Sequence, residues 1–220
     1  FTNIAECAIA KLLVATENEL AATAGRIPGG GFCVIAMGKL GGREMTAGSD
    51  LDLIFVYDAP AEAVSNGAKP VPATVFYARL AQRLIAALTV PTAEGTLYEV
   101  DMRLRPTGNK GPVAVSLESF ARYHATESWT WERLALTRAR VIAGSKEVGA
   151  KVAAVVRATL TSVPDRAKIL ADAADMRTKL YVQFPGKAPW DLKFAHGGLV
   201  DIEFIAQTLQ LLEAHRLPQA

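Results

Sequence analysis

The chain has 220 residues, half of them hydrophobic, with 24 basic and 22 acidic side chains and a formal net charge of +2. That length fits one large domain or two modest ones, and the composition is that of a globular protein with a buried core. So balanced a charge gives no bulk field for nucleic acid or a membrane surface, and no apolar run reaches the length of a membrane span.

Cys7 and Cys33 match no metal-ligand spacing. They suit a reducing, cytoplasmic compartment. Glu6 and Lys11 interrupt the first apolar stretch, which excludes a signal peptide reading. The chain lacks an initiating methionine and reads as a fragment of something longer.

In chain order, Ile4 to Ala24 predicts a helix, broken by Gly25 and by Pro28 to Gly31. Phe32 to Met37 predicts a buried strand. Gly38 to Ser49 reads as a polar loop that opens with a short helix, and Leu51 to Tyr57 as a strand. A loose segment from Asp58 to Pro72 precedes a helix over Ala73 to Leu88. Leu97 to Leu104 alternates and predicts another strand. A turn over Gly108 to Gly111 leads into a strand over Pro112 to Val115. Ser116 is placed to cap a helix over Leu117 to Tyr123, and Ser128 to Ala139 predicts a further helix. Beyond Gly144 the pattern is helical, with a polar break from Pro185 to Gly198 and a last helix over Leu199 to Ala214. This divides the chain into a mixed α/β domain, residues 1–143, and an incomplete helical domain, residues 144–220.

The chemistry centres on Gly48-Ser49-Asp50-Leu51-Asp52. Alternation along a strand puts Asp50 and Asp52 on one face and Leu51 and Leu53 on the other. Two like charges that close call for a cation between them, and magnesium prefers carboxylate and phosphate oxygens. An isolated Asp-x-Asp is common and more often marks only an exposed strand end. Here a glycine turn, Gly38-Lys39-Leu40-Gly41-Gly42, stands upstream, directly after a predicted strand. Its glycines allow close backbone approach to an anion. By the same alternation Asp101, Arg103 and Arg105 share a strand face. One carboxylate and two guanidiniums there suit a metal–triphosphate site, or equally a solvent-facing salt-bridge stripe.

Together these residues resemble the nucleotidyltransferase superfamily that includes DNA polymerase beta. Gly38 to Glu44, Gly48 to Leu53, Val100 to Pro106, Trp129 to Glu132, Ala139 to Val141, Asp191 to Lys193 and Gly197 to Phe204 resemble, more narrowly, the glutamine synthetase adenylyltransferases. Trp129 to Glu132 and Leu97 to Asp101 look more like the C-terminal, AMP-attaching half of that family than its AMP-removing half. The superfamily usually has serine after the first glycine of the turn, where this chain has Lys39.

The resemblance implies an α+β fold: a polymerase beta-like domain with a mixed sheet flanked by helices, then a partial helical bundle. It implies ATP as substrate and two magnesium ions held by Asp50, Asp52 and Asp101, with Asp101 nearest the attacking tyrosine hydroxyl. Gly38, Gly41 and Ser49 would position phosphates, and Arg103 and Arg105 would neutralise charge on departing pyrophosphate. Lys39 either contacts a phosphate or only flanks the loop. Lys193 either reaches the nucleotide or is a surface lysine. Glutamine synthetase is the implied protein substrate, in control of nitrogen assimilation, with a PII signal protein as regulator and no nucleic acid or membrane partner. The rival readings are the phosphorolytic, deadenylylating half and a non-catalytic module that senses nucleotide or PII.

Asp201 and Glu203 fit the N-terminal end of the last helix better than a metal site. Trp129 and Trp131 read as packing residues, and Arg138 and Arg140 as salt-bridging ties from helices to the catalytic sheet. His124, His196 and His215 form neither a zinc pattern nor a triad.

Overall fold

The computed structural model describes residues 1–163, 165–186, 188 and 190–216. They form two compact units, Phe1–Thr126 with Arg138–Val155, and Glu127–Thr137 with Val156 onward. Packing thus joins residues 127–137 to the C-terminal helices and extends the sheet unit to residue 155, whereas the sequence pattern divides the chain after residue 143.

The first unit opens with helix α1 (Thr2–Ala24), whose buried residues Ala5, Ile9, Leu13, Thr16 and Leu20 recur at helical spacing. Strand β1 (Gly31–Ala36) leads into a single helical turn, α2 (Gly38–Gly41), and then strand β2 (Leu51–Asp58). Helix α3 (Ala73–Thr89) follows, and then a short hairpin of β3 (Pro91–Thr92) and β4 (Gly95–Thr96). Strand β5 (Val100–Asp101), strand β6 (Ala114–Ser116) and helix α4 (Leu117–Thr126) complete the first pass. As its sequence suggests, Ser116 caps α4, its hydroxyl accepting from the Ser119 amide.

The sheet runs β5-β2-β1-β7, where β7 is Arg140–Gly144. β1 is antiparallel to both β2 and β7. β2 is parallel to β5 at its start and to β6 at its end, so these two share its outer edge in succession. The sheet is therefore mixed and flanked by helices, as expected. Leu51, Leu53, Phe55 and Tyr57 of β2 join one core with α1 and α3. Tyr77 of α3 stacks on both Phe32 and Tyr57. This core anchors β2 from one side and leaves Asp52, the second residue of the strand, on the other.

Several elements differ from the sequence expectation, among them the β3–β4 hairpin, and two of them bear on the site. β7 occupies residues to which the sequence pattern assigns no element, since the expected helix runs to Ala139 and the next helical pattern starts beyond Gly144. The strand expected over Leu97 to Leu104 is cut to Val100 and Asp101. The Asp101 carboxylate accepts the Arg103 amide at 2.8 Å, which folds the chain back on itself and ends the strand.

In the second unit, α5 (Thr130–Leu136), α7 (Arg166–Gln183) and α8 (Leu199–Glu213) enclose Leu134, Ile169, Leu211 and Leu212. The unit boundary falls within α6 (Lys146–Leu160). Asp201, in the first turn of α8, accepts bonds from Arg177 Nε, the Tyr181 hydroxyl and the Gly197 amide. That supports the structural reading of Asp201. Trp129, by contrast, is exposed rather than packed, and it opens α5 with its amide donating to Glu132. No helix among the described residues is long and apolar enough to cross a membrane.

Candidate active site

β2 begins immediately after the loop that carries Ser49 and Asp50. The Ser49 hydroxyl accepts the Thr46 amide at 3.0 Å and lies close to the Thr46 hydroxyl, so it fastens the loop entering the strand. The Leu51 amide donates to the Glu99 carbonyl at 2.9 Å, and Leu51 and Asp52 pair with Val100 and Asp101. In a parallel pair, residues in register project the same way. Asp101 is therefore carried to the side of Asp52.

The result is a cluster in which one ligand oxygen each from Asp50, Asp52 and Asp101 lies within 4.8 Å of the other two. Asp50 is exposed and the other two are partly buried. Burial pushes the Asp52 acid up to about 6, and the neighbouring Asp50 and Asp101 carboxylates add to the shift, against the pull of Arg103 and Arg138. A cation would relieve that repulsion. The all-oxygen donor set, open on the Asp50 side, fits a hard divalent ion such as magnesium.

The glycine turn lies against the same carboxylate. The Met37 amide donates to the Asp52 carbonyl at 2.9 Å. Gly38 follows with φ of +49°, and a Cβ there would overlap the Asp52 carboxylate. Gly41 has no room either, because a Cβ would strike the Arg138 carbonyl. Both positions require glycine on steric grounds. Lys39 is exposed beside them.

The two arginines expected on one strand face part company where the strand ends. Arg103 is exposed and pairs with Asp101, Nε donating to Oδ2 at 2.7 Å. That bond holds the Asp101 carboxyl below the usual range, outweighing burial. Arg105 turns inward, donating to the Met102 carbonyl at 2.7 Å and to the Gly111 carbonyl. It is buried and spent on the loop. The alternation that put both on one face does not survive beyond Asp101. Lys193 belongs to the second unit, its ammonium 4.9 Å from the centre of the Phe194 ring and its amide donating to Asp191.

Two residues outside the carboxylate cluster complete its frame. Arg138 pairs with Glu44 at 2.9 Å, beyond the glycine turn. Arg140 donates to the Leu40 and Gly41 carbonyls and pairs with Glu6 of α1. The sequence marked both as ties. Only the fold shows that Arg138 reaches the loop after the turn, whereas Arg140 joins a helix to the turn itself.

Residues 1–155 match the family described as glutamate-ammonia ligase adenylyltransferase (GlnE). The chain belongs to that family. It is 51% identical over 216 residues to the bifunctional glutamine synthetase adenylyltransferase/adenylyl-removing enzyme of Rhizobium meliloti, covering 98% of this chain and 22% of that protein. The protein of the same description in Bradyrhizobium diazoefficiens is 50% identical over 219 residues, covering 99% of this chain and 22% of that protein. The chain thus spans about a fifth of the length of these adenylyltransferase relatives.

Proposed function

We propose that this chain carries an adenylyl-transfer site that moves AMP from ATP onto a tyrosine of glutamine synthetase, and so regulates nitrogen assimilation in the cytoplasm. The observation that carries the reading is the convergence of Asp50, Asp52 and Asp101 beside a glycine turn. Membership of the adenylyltransferase family and the names of the relatives support the substrate. Regulation of the full-length enzyme by a PII signal protein belongs to the same proposal.

Asp50, Asp52 and Asp101 would hold divalent ions, two by the superfamily pattern. Such ions, when bound, neutralise the triphosphate and polarise the phosphorus under attack. Asp101 accepts the tyrosine proton as the phenolic oxygen bonds to the α-phosphorus. The bond to the bridging oxygen breaks and pyrophosphate leaves. Arg103, on a single exposed side chain, can leave Asp101 and fork onto the departing pyrophosphate. Gly38 and Gly41 let the backbone of the turn approach the site, with Lys39 at its rim, and Ser49 fixes the loop that delivers Asp50. Arg105 serves the loop rather than the phosphates.

The test is transfer of label from α-labelled ATP to unmodified glutamine synthetase with magnesium. The reading expects labelled tyrosine, abolished by Asp50→Asn. Label undiminished in that variant contradicts it. The relatives' description as adenylyl-removing enzymes also favours a second reading, phosphorolysis of AMP-tyrosine by inorganic phosphate. Release of ADP from modified glutamine synthetase, without forward transfer, would select it. Metal-dependent ATP binding with neither reaction would mark a sensing module.

A further inference from the structure

We infer that Arg140 is a positioning residue for the site, acting on Asp52 through the glycine turn, and that Glu6 of the N-terminal helix holds Arg140 in place. The inference rests on the reading of this site as an adenylyl-transfer centre and adds two residues that the carboxylate pattern does not contain.

The argument begins at the turn. α2 is one helical turn, closed by the Gly41 amide on the Met37 carbonyl at 2.8 Å and the Gly42 amide on the Gly38 carbonyl at 3.0 Å. Of its last carbonyls, Lys39 accepts the Glu44 amide at 2.8 Å and Leu40 the Arg43 amide at 3.3 Å. The Arg140 guanidinium adds to these, Nε donating to Gly41 at 3.1 Å and Nη2 to Leu40 at 2.9 Å. A cation at this end of a helical turn is also favoured by the aligned peptide dipoles. Nη2 meets the Glu6 carboxylate as well.

The ion pair is well placed to hold its geometry. The Arg140 and Glu6 side chains are 27% and 22% exposed. Arg140 stands at the first position of β7, paired in register with Ala36 at the end of β1, two residues before the turn begins at Gly38. The guanidinium therefore ties α1 and β7 to the far end of α2, while the near end of α2 abuts Asp52 at Gly38. Because α2 is so short, any tilt at Leu40 and Gly41 moves Gly38 too. Arg140 touches no reacting group; it acts by setting how Gly38 meets the carboxylate.

Lysine cannot reproduce this arrangement, since a single ammonium lacks the planar fork that spans two carbonyls and a carboxylate. In the intact protein, Arg140→Lys is expected to raise KM for ATP about tenfold and to leave kcat within about threefold, because saturating ATP re-seats the turn. Glu6→Gln is expected to raise KM about threefold, and the double variant to show little more than Arg140→Lys alone, since Glu6 acts through Arg140. A purely structural role would lower the melting temperature without separating KM from kcat. Wild-type KM in Arg140→Lys, or additive effects in the double variant, overturns the inference. Direct binding of Mn·ATP to Arg140→Lys reads the clamp without turnover. Weakened binding supports it even if the transfer assay contradicts the proposed reaction, and unchanged binding rejects it even if transfer occurs.

Discussion

Asp52 and Asp101 stand in register across a parallel strand pair, so two acids 49 positions apart in the chain project side by side at one edge of the sheet. Asp50, just ahead of the strand, completes the cluster. The hydrophobic face of β2, sunk in the α1–α3 core, is what keeps that edge from moving.

The first prediction concerns pH. The Asp52 acid is raised from 3.8 to about 6, so the folded protein favours its neutral form. Its contribution to stability is full below about pH 4 and is lost as pH rises through 6, by up to about 2–3 kcal/mol without metal. Urea unfolding of the metal-free protein across this range should show the decline. Asp52→Asn should lack it. Protons and metal compete for the same oxygen, so Mn²⁺ affinity should rise with pH up to about 6 and then level off.

Replacing Gly38 attacks the site through the backbone. Gly38→Ala places a Cβ into the Asp52 carboxylate at a positive φ. The expected cost is about 1–3 kcal/mol of stability and roughly 100-fold of transfer activity. Melting curves and label transfer together separate the two.

Arg103 competes with metal for Asp101. Arg103→Gln should therefore bind Mn²⁺ several-fold more tightly in the absence of nucleotide. It should also transfer AMP about 10–100-fold more slowly, since the departing pyrophosphate loses its guanidinium. Calorimetric titration and steady-state kinetics on the same preparation should move in opposite directions.

In the second unit, Asp201 is the acceptor for Arg177, Tyr181 and Gly197. The Arg177 bond, with help from Tyr181 and the Gly197 amide, holds its carboxyl well below the usual range. The stability it contributes is present above about pH 4 and is lost as pH falls further. Asp201→Asn leaves a nine-tenths-buried guanidinium without its counter-charge, at a cost of about 3 kcal/mol. Hydrogen exchange in α7 and α8 should rise accordingly.

Much of this was legible in the residues. The periodicities of α1 and α3, the apolar run of β1 and the alternation of β2 were sufficient to place these elements. Two acids one residue apart are legible because a strand's period is two. What escaped depended on contacts distant in sequence. β7 carries Arg140 among small and apolar residues and shows no clean alternation; it is a strand because β1 needs a partner on its outer edge. The predicted strand through Leu104 failed because a local bond from Asp101 to the Arg103 amide outcompeted the ladder. Arg105, expected on the same face, turns into the loop instead.

Metal titration with nucleotide tests the central claim most directly. Mn²⁺ binding to the chain, followed by electron paramagnetic resonance in the presence of a non-transferable ATP analogue, should show ions that are lost in Asp52→Asn and weakened in Asp101→Asn. Equal binding by wild type and both variants would contradict a joint role for the three acids.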